Sequence, residues 1–294
     1  MLYETQKCDR KLTEIAQIPT RSGGKRIGAT ADWTAGQKGR TMQQIILKTT
    51  DLCKSFSSGA HEQKVLKDLN IEIYEGDFTV IMGSSGAGKS TLLYALSGMD
   101  RPTSGSIRFF DTEISDLSND KLAVFRRKNC GFVFQQMFLL DDMSIMDNVL
   151  VSGLLVNKDR KAIIERAKEL LERVGLTEEI WRKFPTQLSG GENQRAAIVR
   201  ALINEPAVVF ADEPTGSLNS SSGNAVLDVL SAVNDAGQSI VMVTHDLNSA
   251  RRGNRILYIK DGIIGGQCDL GRFAHTDEEA RQNKLTGFLS EMGW

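Results

Sequence analysis

No stretch of the chain approaches the roughly 18 consecutive apolar residues of a membrane span, so any work at a membrane has to pass through a partner. Cysteine is scarce. Cys8, Cys53, Cys130 and Cys268 lie far apart, form no Cys-x-x-Cys pair and have no histidine at ligand spacing. That pattern argues against a zinc site and a disulfide framework, and makes a reducing cytosol the default compartment. An excess of one charge is also missing: 36 Lys and Arg stand against 37 Asp and Glu, a net charge of −1. The balance gives no global attraction to nucleic acid or anionic lipid. No internal repeat is visible. What is present, 40% hydrophobic and 25% charged residues over 294 positions, is globular composition with ample chain to bury a core.

Residues 1–41 differ from the rest. They are rich in Gly, Thr, Lys and Arg and show no sustained apolar period. They lack the apolar stretch of a signal peptide, and Glu4, Asp9, Glu14 and Asp32 break the acid-poor pattern of a transit peptide. The segment reads as a disordered tail, or as sequence ahead of a start at Met42, with a basic arm for a partner as the alternative.

From Met42 onward apolar strands alternate with amphipathic helices. Ile45–Leu47, Val65–Tyr74 and Phe78–Met82 read as strands, and a helix is expected over about Lys89–Ser97. Gly131–Phe134 is a short strand. Asp159–Val174 is a helix by the period of Ile163, Ala167, Leu170 and Leu171, with Gly175 as its stop. Ala207–Ala211 and, apart from Ser239, Ser239–Val243 are apolar throughout, as strands buried on both faces are. Asp261-Gly262 inside Arg255–Ile264 signals a hairpin. The alternation predicts one α/β domain with a mostly parallel core sheet, flanked by two tails.

Three motifs carry chemistry. Gly83, Ser84, Ser85, Gly86, Ala87, Gly88, Lys89, Ser90 and Thr91 follow the strand ending at Met82 and open the helix. This is a P-loop in its required context: glycines let backbone N–H groups cradle phosphate oxygens, Lys89 reaches the β and γ phosphates, and the Ser90 hydroxyl is a ligand for Mg²⁺. Ala207–Ala211 leads into Asp212 and Glu213. A strand ending in Asp sets a carboxylate beside the P-loop for the metal, and the next residue is placed to polarise a water for in-line attack on the γ-phosphate. The third motif, Leu188-Ser-Gly-Gly-Glu-Asn-Gln-Arg195, precedes a helical run over Gln194–Asn204, so Ser189, Gly190 and Gly191 form a second anion-binding helix start.

With these three in order, residues 42–268 resemble the nucleotide-binding subunit of ABC transporters. The resemblance implies a P-loop NTPase of ABC type, with an antiparallel β subdomain and a helical subdomain beside the core sheet, and residues 269–294 as an extension. It implies ATP and Mg²⁺ as ligands. Gln135 matches the glutamine that senses Mg²⁺ and water and couples to the membrane partner. His245, in Val243-Thr-His-Asp246, matches the switch histidine at the γ-phosphate, and Phe56 the aromatic that stacks on adenine. In the family two copies pack head to tail, so that Ser189–Gly191 of one close over ATP held by the other. The partner is an integral-membrane permease, and the place of work the cytoplasmic face of the cell membrane. His61 and His275 match nothing and are read as surface residues. One departure stands out: Ser217-Leu218-Asn219 carries Asn where the family usually has Asp.

Residues 56–66, 98–105, 125–128 and 131–136 look like the macrolide-efflux, lipoprotein-release and antimicrobial-peptide-resistance group, whose members drive permeases that extract or expel substrates, and the ending over 276–294 resembles its peptide-resistance branch. The competing reading is an ABC ATPase that moves nothing. A ribosome-associated factor usually has two cassettes, and a DNA-repair ATPase needs a long insertion that Gly83–Leu188 does not hold. A cell-division regulator is the surviving alternative. Gln135 is followed by Met137-Phe-Leu-Leu140 and then Asp141-Asp142, an apolar run expected to border a cleft for a short permease helix.

Overall fold

The computed structural model describes residues 44–58 and 61–294; the expected tail over 1–41 and the start at Met42 lie outside them. The described residues begin with an antiparallel region of β1 (Ile45–Ser58), β2 (His61–Leu69) and β3 (Glu72–Tyr74). The stretch read as one strand, Val65–Tyr74, is therefore two. Asp68 takes a left-handed φ of 51°, and Asn70 turns its side chain to the Asp51 amide at 3.0 Å, which breaks the ladder between them. β5 (Ser104–Phe109) and β6 (Thr112–Glu113) complete this sheet in the order β2-β1-β5-β6, with β3 on β1.

The second sheet runs β11-β10-β4-β9-β8-β7, from β4 (Phe78–Met82), β7 (Cys130–Phe134), β8 (Val208–Asp212), β9 (Ser239–Val243), β10 (Arg255–Lys260) and β11 (Ile263–Asp269). Its pairings are parallel except β10 with β11. That pair is a hairpin in which Lys260 faces Ile263 across Asp261 and Gly262, both at positive φ (51° and 80°), as a two-residue primed turn requires.

The apolar strands bury both faces. Val80, Met82, Val209, Ala211, Ile240 and Met242 join one core, whereas Ile81, Val208, Phe210, Val241 and Val243 join the other. The second core is closed by α1 (Lys89–Leu96) and the antiparallel sheet, through Leu92, Leu93, Leu47 and Phe109. The first is closed by helices: α3 (Ile145–Leu154), α4 (Arg160–Arg173), α6 (Gly190–Leu202) and α7 (Ser220–Asp235). Asp159 caps α4 and Gly175 follows it at φ 77°. Short α2 (Asn119–Asn129), α5 (Glu178–Trp181) and α8 (Leu247–Ala250) connect the layers.

The C-terminal segment is not a loose tail. After β11 the chain forms α9 (Glu278–Glu291), and Leu285 and Leu289 are fully buried in the first core. Arg281, 4% exposed, donates to the carbonyls of Arg251, Gly253, Leu270, Gly271 and Arg272. In the sequence this arginine is only one more charge in a polar segment.

Candidate functional site

The phosphate-type loop links β4 to α1. Ser84, Ser85 and Gly86 lie exposed at its rim, while Ala87 and Gly88 are buried beneath. A Cβ at Gly83 would sit 2.2 Å from the Ile259 carbonyl oxygen, so only glycine fits there. Gly86, at φ 78°, faces open space. Lys89 Nζ donates to the carbonyls of Gly83 and Ser84 at 2.9 Å each, which holds its ammonium against the loop. Burial lowers its pKa, against the opposing pull of the Glu213 and Asp212 carboxylates.

Strand register brings the remaining parts together. Asp212 ends β8 and pairs with Phe134 on one side and Val243 on the other. The residues just beyond the three strand ends, Gln135, Glu213 and Thr244 with His245 after it, therefore gather at one edge of the sheet, next to the P-loop at the end of β4. Such carboxyl ends are where open α/β sheets bind ligands. Ser90 Oγ donates to Asp212 Oδ1 at 3.1 Å, and Tyr94 Oη donates to Asp212 Oδ2 at 2.8 Å. Burial, and then the bond to Asp212, push the Tyr94 phenol up to about 12.

Glu213 adopts a left-handed φ of 47°, and its N–H bonds to Val243 O at 3.0 Å. Its carboxylate is held at both oxygens: Oε1 lies 2.7 Å from His245 Nδ1, and Oε2 accepts from Thr244 Oγ1 at 3.1 Å. The Gln135 amide lies against Gly216, where an added Cβ would meet its Nε2 at 2.9 Å. Ser217 Oγ donates to Gln135 O at 3.0 Å, which ties the segment after β7 to the one after Glu213.

Ser189 caps α6 in a capping box. The Glu192 N–H donates to Ser189 Oγ at 3.4 Å, and the Ser189 N–H to Glu192 Oε2 at 2.9 Å. The Ser189 hydroxyl and amide hold the Glu192 carboxyl below its usual range. The helix thus begins at Gly190, earlier than the run expected from Gln194, because the cap satisfies the first turn and tolerates its two glycines. Gly190 and Gly191 abut Leu218 and Ser222. Among the described residues no hydrogen bond joins Ser189–Gly191 to residues 83–91 of the same chain. The helix instead reaches Gln135's neighbourhood, where Gln194 Nε2 donates to Phe134 O at 3.0 Å.

Phe56 is 47% exposed on β1, with the Lys54 ammonium 4.9 Å from its ring centroid. Lys54 is itself anchored on Asp100 at 2.7 Å, so one ring face is occupied and the other is free to stack. Asn219 caps α7, its Oδ1 accepting from Ser222 N at 2.9 Å. His275 is exposed beside Glu278 at 2.8 Å; the His61 side chain lies outside the described residues. Tyr94 and Thr244 were not singled out by sequence. Tyr94 carried a usable signal: it lies four residues after Ser90, on the same face of α1.

The residues present fit a nucleotide with Mg²⁺. Ser90 and Asp212 offer oxygen donors alone, as that hard cation demands, and one carboxylate with a hydroxyl is the sparse protein share expected when phosphates supply further ligands. A nucleotide-hydrolysing P-loop protein is the class that this fold and site define. The family model described as "ABC transporter" matches residues 66–216, and the chain belongs to that family as an ATP-binding, ATP-hydrolysing cassette. It is 39% identical to the "Bacitracin export ATP-binding protein BceA" of Halalkalibacterium halodurans, over 84% of this chain and 96% of that one. It is 42% identical to the "Macrolide export ATP-binding/permease protein MacB" of Shewanella sp. (strain ANA-3), over 76% of this chain but 34% of that one. Among solved structures it is similar to a dimeric post-hydrolysis state of the ATP-binding cassette MJ0796 bound to ADP and Pi. That match has a TM-score of 0.68 and 36% identity, and covers 77% of this chain and 100% of the other.

Proposed function

We propose that this chain powers an exporter whose membrane-spanning permease is a separate polypeptide, and that it works as a head-to-tail pair on the cytoplasmic face of the membrane. The observation that carries the reading is the doubly held Glu213 carboxylate at the sheet edge beside Asp212, Ser90 and Lys89. No helix among the described residues is long and apolar enough to cross a membrane, which fits a chain that drives a partner. The names of the BceA and MacB relatives support a peptide, lipoprotein or drug-like cargo expelled from the membrane.

In this reading residues 42–268 form the ATPase domain and 269–294 an extension docked on it. Phe56 stacks on adenine with its free face. The loop from Gly83 to Thr91 cradles the phosphates, and Lys89 leaves its two carbonyls for the β and γ oxygens. Mg²⁺, when bound, neutralises phosphate charge, and Ser90, Asp212 and Gln135 would hold it directly or through water. Glu213 takes the proton of a water whose oxygen attacks the γ-phosphorus as the bond to ADP breaks. Thr244 and His245 aim that carboxylate, and His245 turns to the γ-phosphate when ATP is present. Ser189 and Gly190, exposed at the start of α6 with Gly191 buried behind them, would close over a second copy's ATP.

The link to the permease leaves from Gln135. Met137 and Phe138 both take left-handed φ, and Arg200 donates to both their carbonyls. Asn148 holds Leu140 through its N–H at 2.7 Å and its carbonyl at 3.1 Å. The loop's backbone is thus held, yet it leaves Phe138 58% and Leu140 52% exposed, whereas Leu139 packs on the core. A cavity of about 240 Å³, where Phe132 and Leu155 meet Arg127, Ser152, Arg200 and Asn204, opens between β7, α3 and α6. Two exposed apolar side chains on a held loop suit a short permease helix.

The test is Lys89→Ala. Loss of the charge-assisted phosphate contact should abolish measurable ATP affinity in a fluorescent-nucleotide titration. Retained tight binding would contradict the site.

A further inference from the structure

We infer that Tyr94 is a positioning residue for the Asp212 carboxylate, fixing one oxygen so that the other stays turned to the Ser90 hydroxyl, where a divalent cation would bind. The inference rests on the reading of Ser90 and Asp212 as the cation-holding pair. Both oxygens of Asp212 are engaged from α1: Oδ1 by Ser90 Oγ at 3.1 Å and Oδ2 by Tyr94 Oη at 2.8 Å. The two donors are four residues apart and so stand one above the other on a single helix face.

The anchoring on each side is firm. The backbone of Asp212 is fixed by its pairing with Phe134 and Val243, which leaves rotation of the carboxylate as its main freedom. Tyr94 packs its ring against the second core. Its carbonyl accepts from Met99 N at 2.9 Å, Asp100 N at 3.1 Å and Ser97 Oγ at 3.1 Å, so the end of α1 is locked around it. A bond between two anchored groups removes the remaining rotation.

The kind of donor also matters. A lysine or arginine at this position would orient the carboxylate but cancel the charge that attracts the cation. A phenol orients it and leaves the charge whole. Groups that hold a metal's ligands in this way commonly change metal affinity by tenfold or more when removed.

The experiment titrates Mg²⁺ against the full chain with a non-hydrolysable fluorescent ATP analogue, comparing wild type, Tyr94→Phe, Asp212→Asn and the double variant. Tyr94→Phe keeps the ring and its packing. It should raise the Mg²⁺ concentration for half-maximal nucleotide binding roughly tenfold, with affinity in EDTA unchanged. Asp212→Asn should raise it further, and Tyr94→Phe should add nothing in that background. If Asp212→Asn shifts the Mg²⁺ dependence but Tyr94→Phe only lowers the melting temperature, Tyr94 is structural and the inference fails. If neither shifts it, the reading of Asp212 fails instead.

Discussion

The His245 imidazole lies 2.7 Å, Nδ1 to Oε1, from the Glu213 carboxylate, although the two residues stand 32 positions apart in sequence. β8 and β9 are adjacent parallel strands with Asp212 opposite Val243, so the residues after each strand end are neighbours by register. Thr244, fully buried, grips the other Glu213 oxygen. The carboxylate is therefore oriented at both oxygens, which is the preorganisation that the proposed proton transfer would use.

Asn219 replaces the family's usual Asp at the start of α7, where its Oδ1 accepts from Ser222 N. Asn and Asp serve almost equally as helix N-caps. Asn219→Asp should therefore leave stability within a few tenths of a kcal/mol, whereas Asn219→Ala should cost about 1 kcal/mol. Chemical denaturation of the three proteins measures both. Equal loss in Asp and Ala would show that the side chain does something other than cap the helix.

Arg281 ties the C-terminal helix to the turn that follows α8, through the carbonyls of Arg251 and Gly253. Truncation to Ala strands a set of buried carbonyls, and charged hydrogen bonds of this type contribute on the order of 2–3 kcal/mol. Arg281→Ala should lower the melting temperature by several degrees. Leu285→Ala should do the same through its cavity, at about 2–5 kcal/mol. Unchanged melting in both would mean that α9 does not stay docked.

Exposed Phe138 and Leu140 supply the prediction for coupling. Phe138→Asp and Leu140→Asp keep the carbonyls that Arg200 and Asn148 hold, because those bonds are made to the backbone. ATP binding by the isolated chain should be unaffected, while stimulation of hydrolysis by the reconstituted permease is lost. Full stimulation of either variant would place the dock elsewhere.

Much of the fold was legible because its strands are extreme. Apart from Ser239, Ala207–Ala211 and Ser239–Val243 are apolar at every position, as strands of a doubly covered parallel sheet are, and they appear as β8 and β9 with one-residue shifts at most. The break between β2 and β3 was not legible, since it depends on Asn70 reaching Asp51 across the sheet. Nor was α9: its apolar face is carried by Leu285 and Leu289, and the buried contacts of Arg281 exist only once the 251–254 turn is in place. At the site, motifs pointed to Lys89, Asp212 and Glu213, because their chemistry is tied to local spacing, and the family resemblance pointed to His245. Thr244 was not legible because its hydroxyl matters only through Glu213, beyond the end of a neighbouring strand, whereas the i, i+4 spacing of Ser90 and Tyr94 was a signal open to reading.

The central claim is that Glu213 polarises the attacking water, and Glu213→Gln tests it with the phosphate loop untouched. The amide keeps the shape and hydrogen-bonding reach of the side chain but cannot take a proton. Steady-state hydrolysis should fall by about a hundredfold or more, with ATP affinity retained and an ATP-bound dimer accumulating on size-exclusion chromatography. Turnover near that of the wild type, with no trapped dimer, would remove Glu213 from the chemical step and contradict the account.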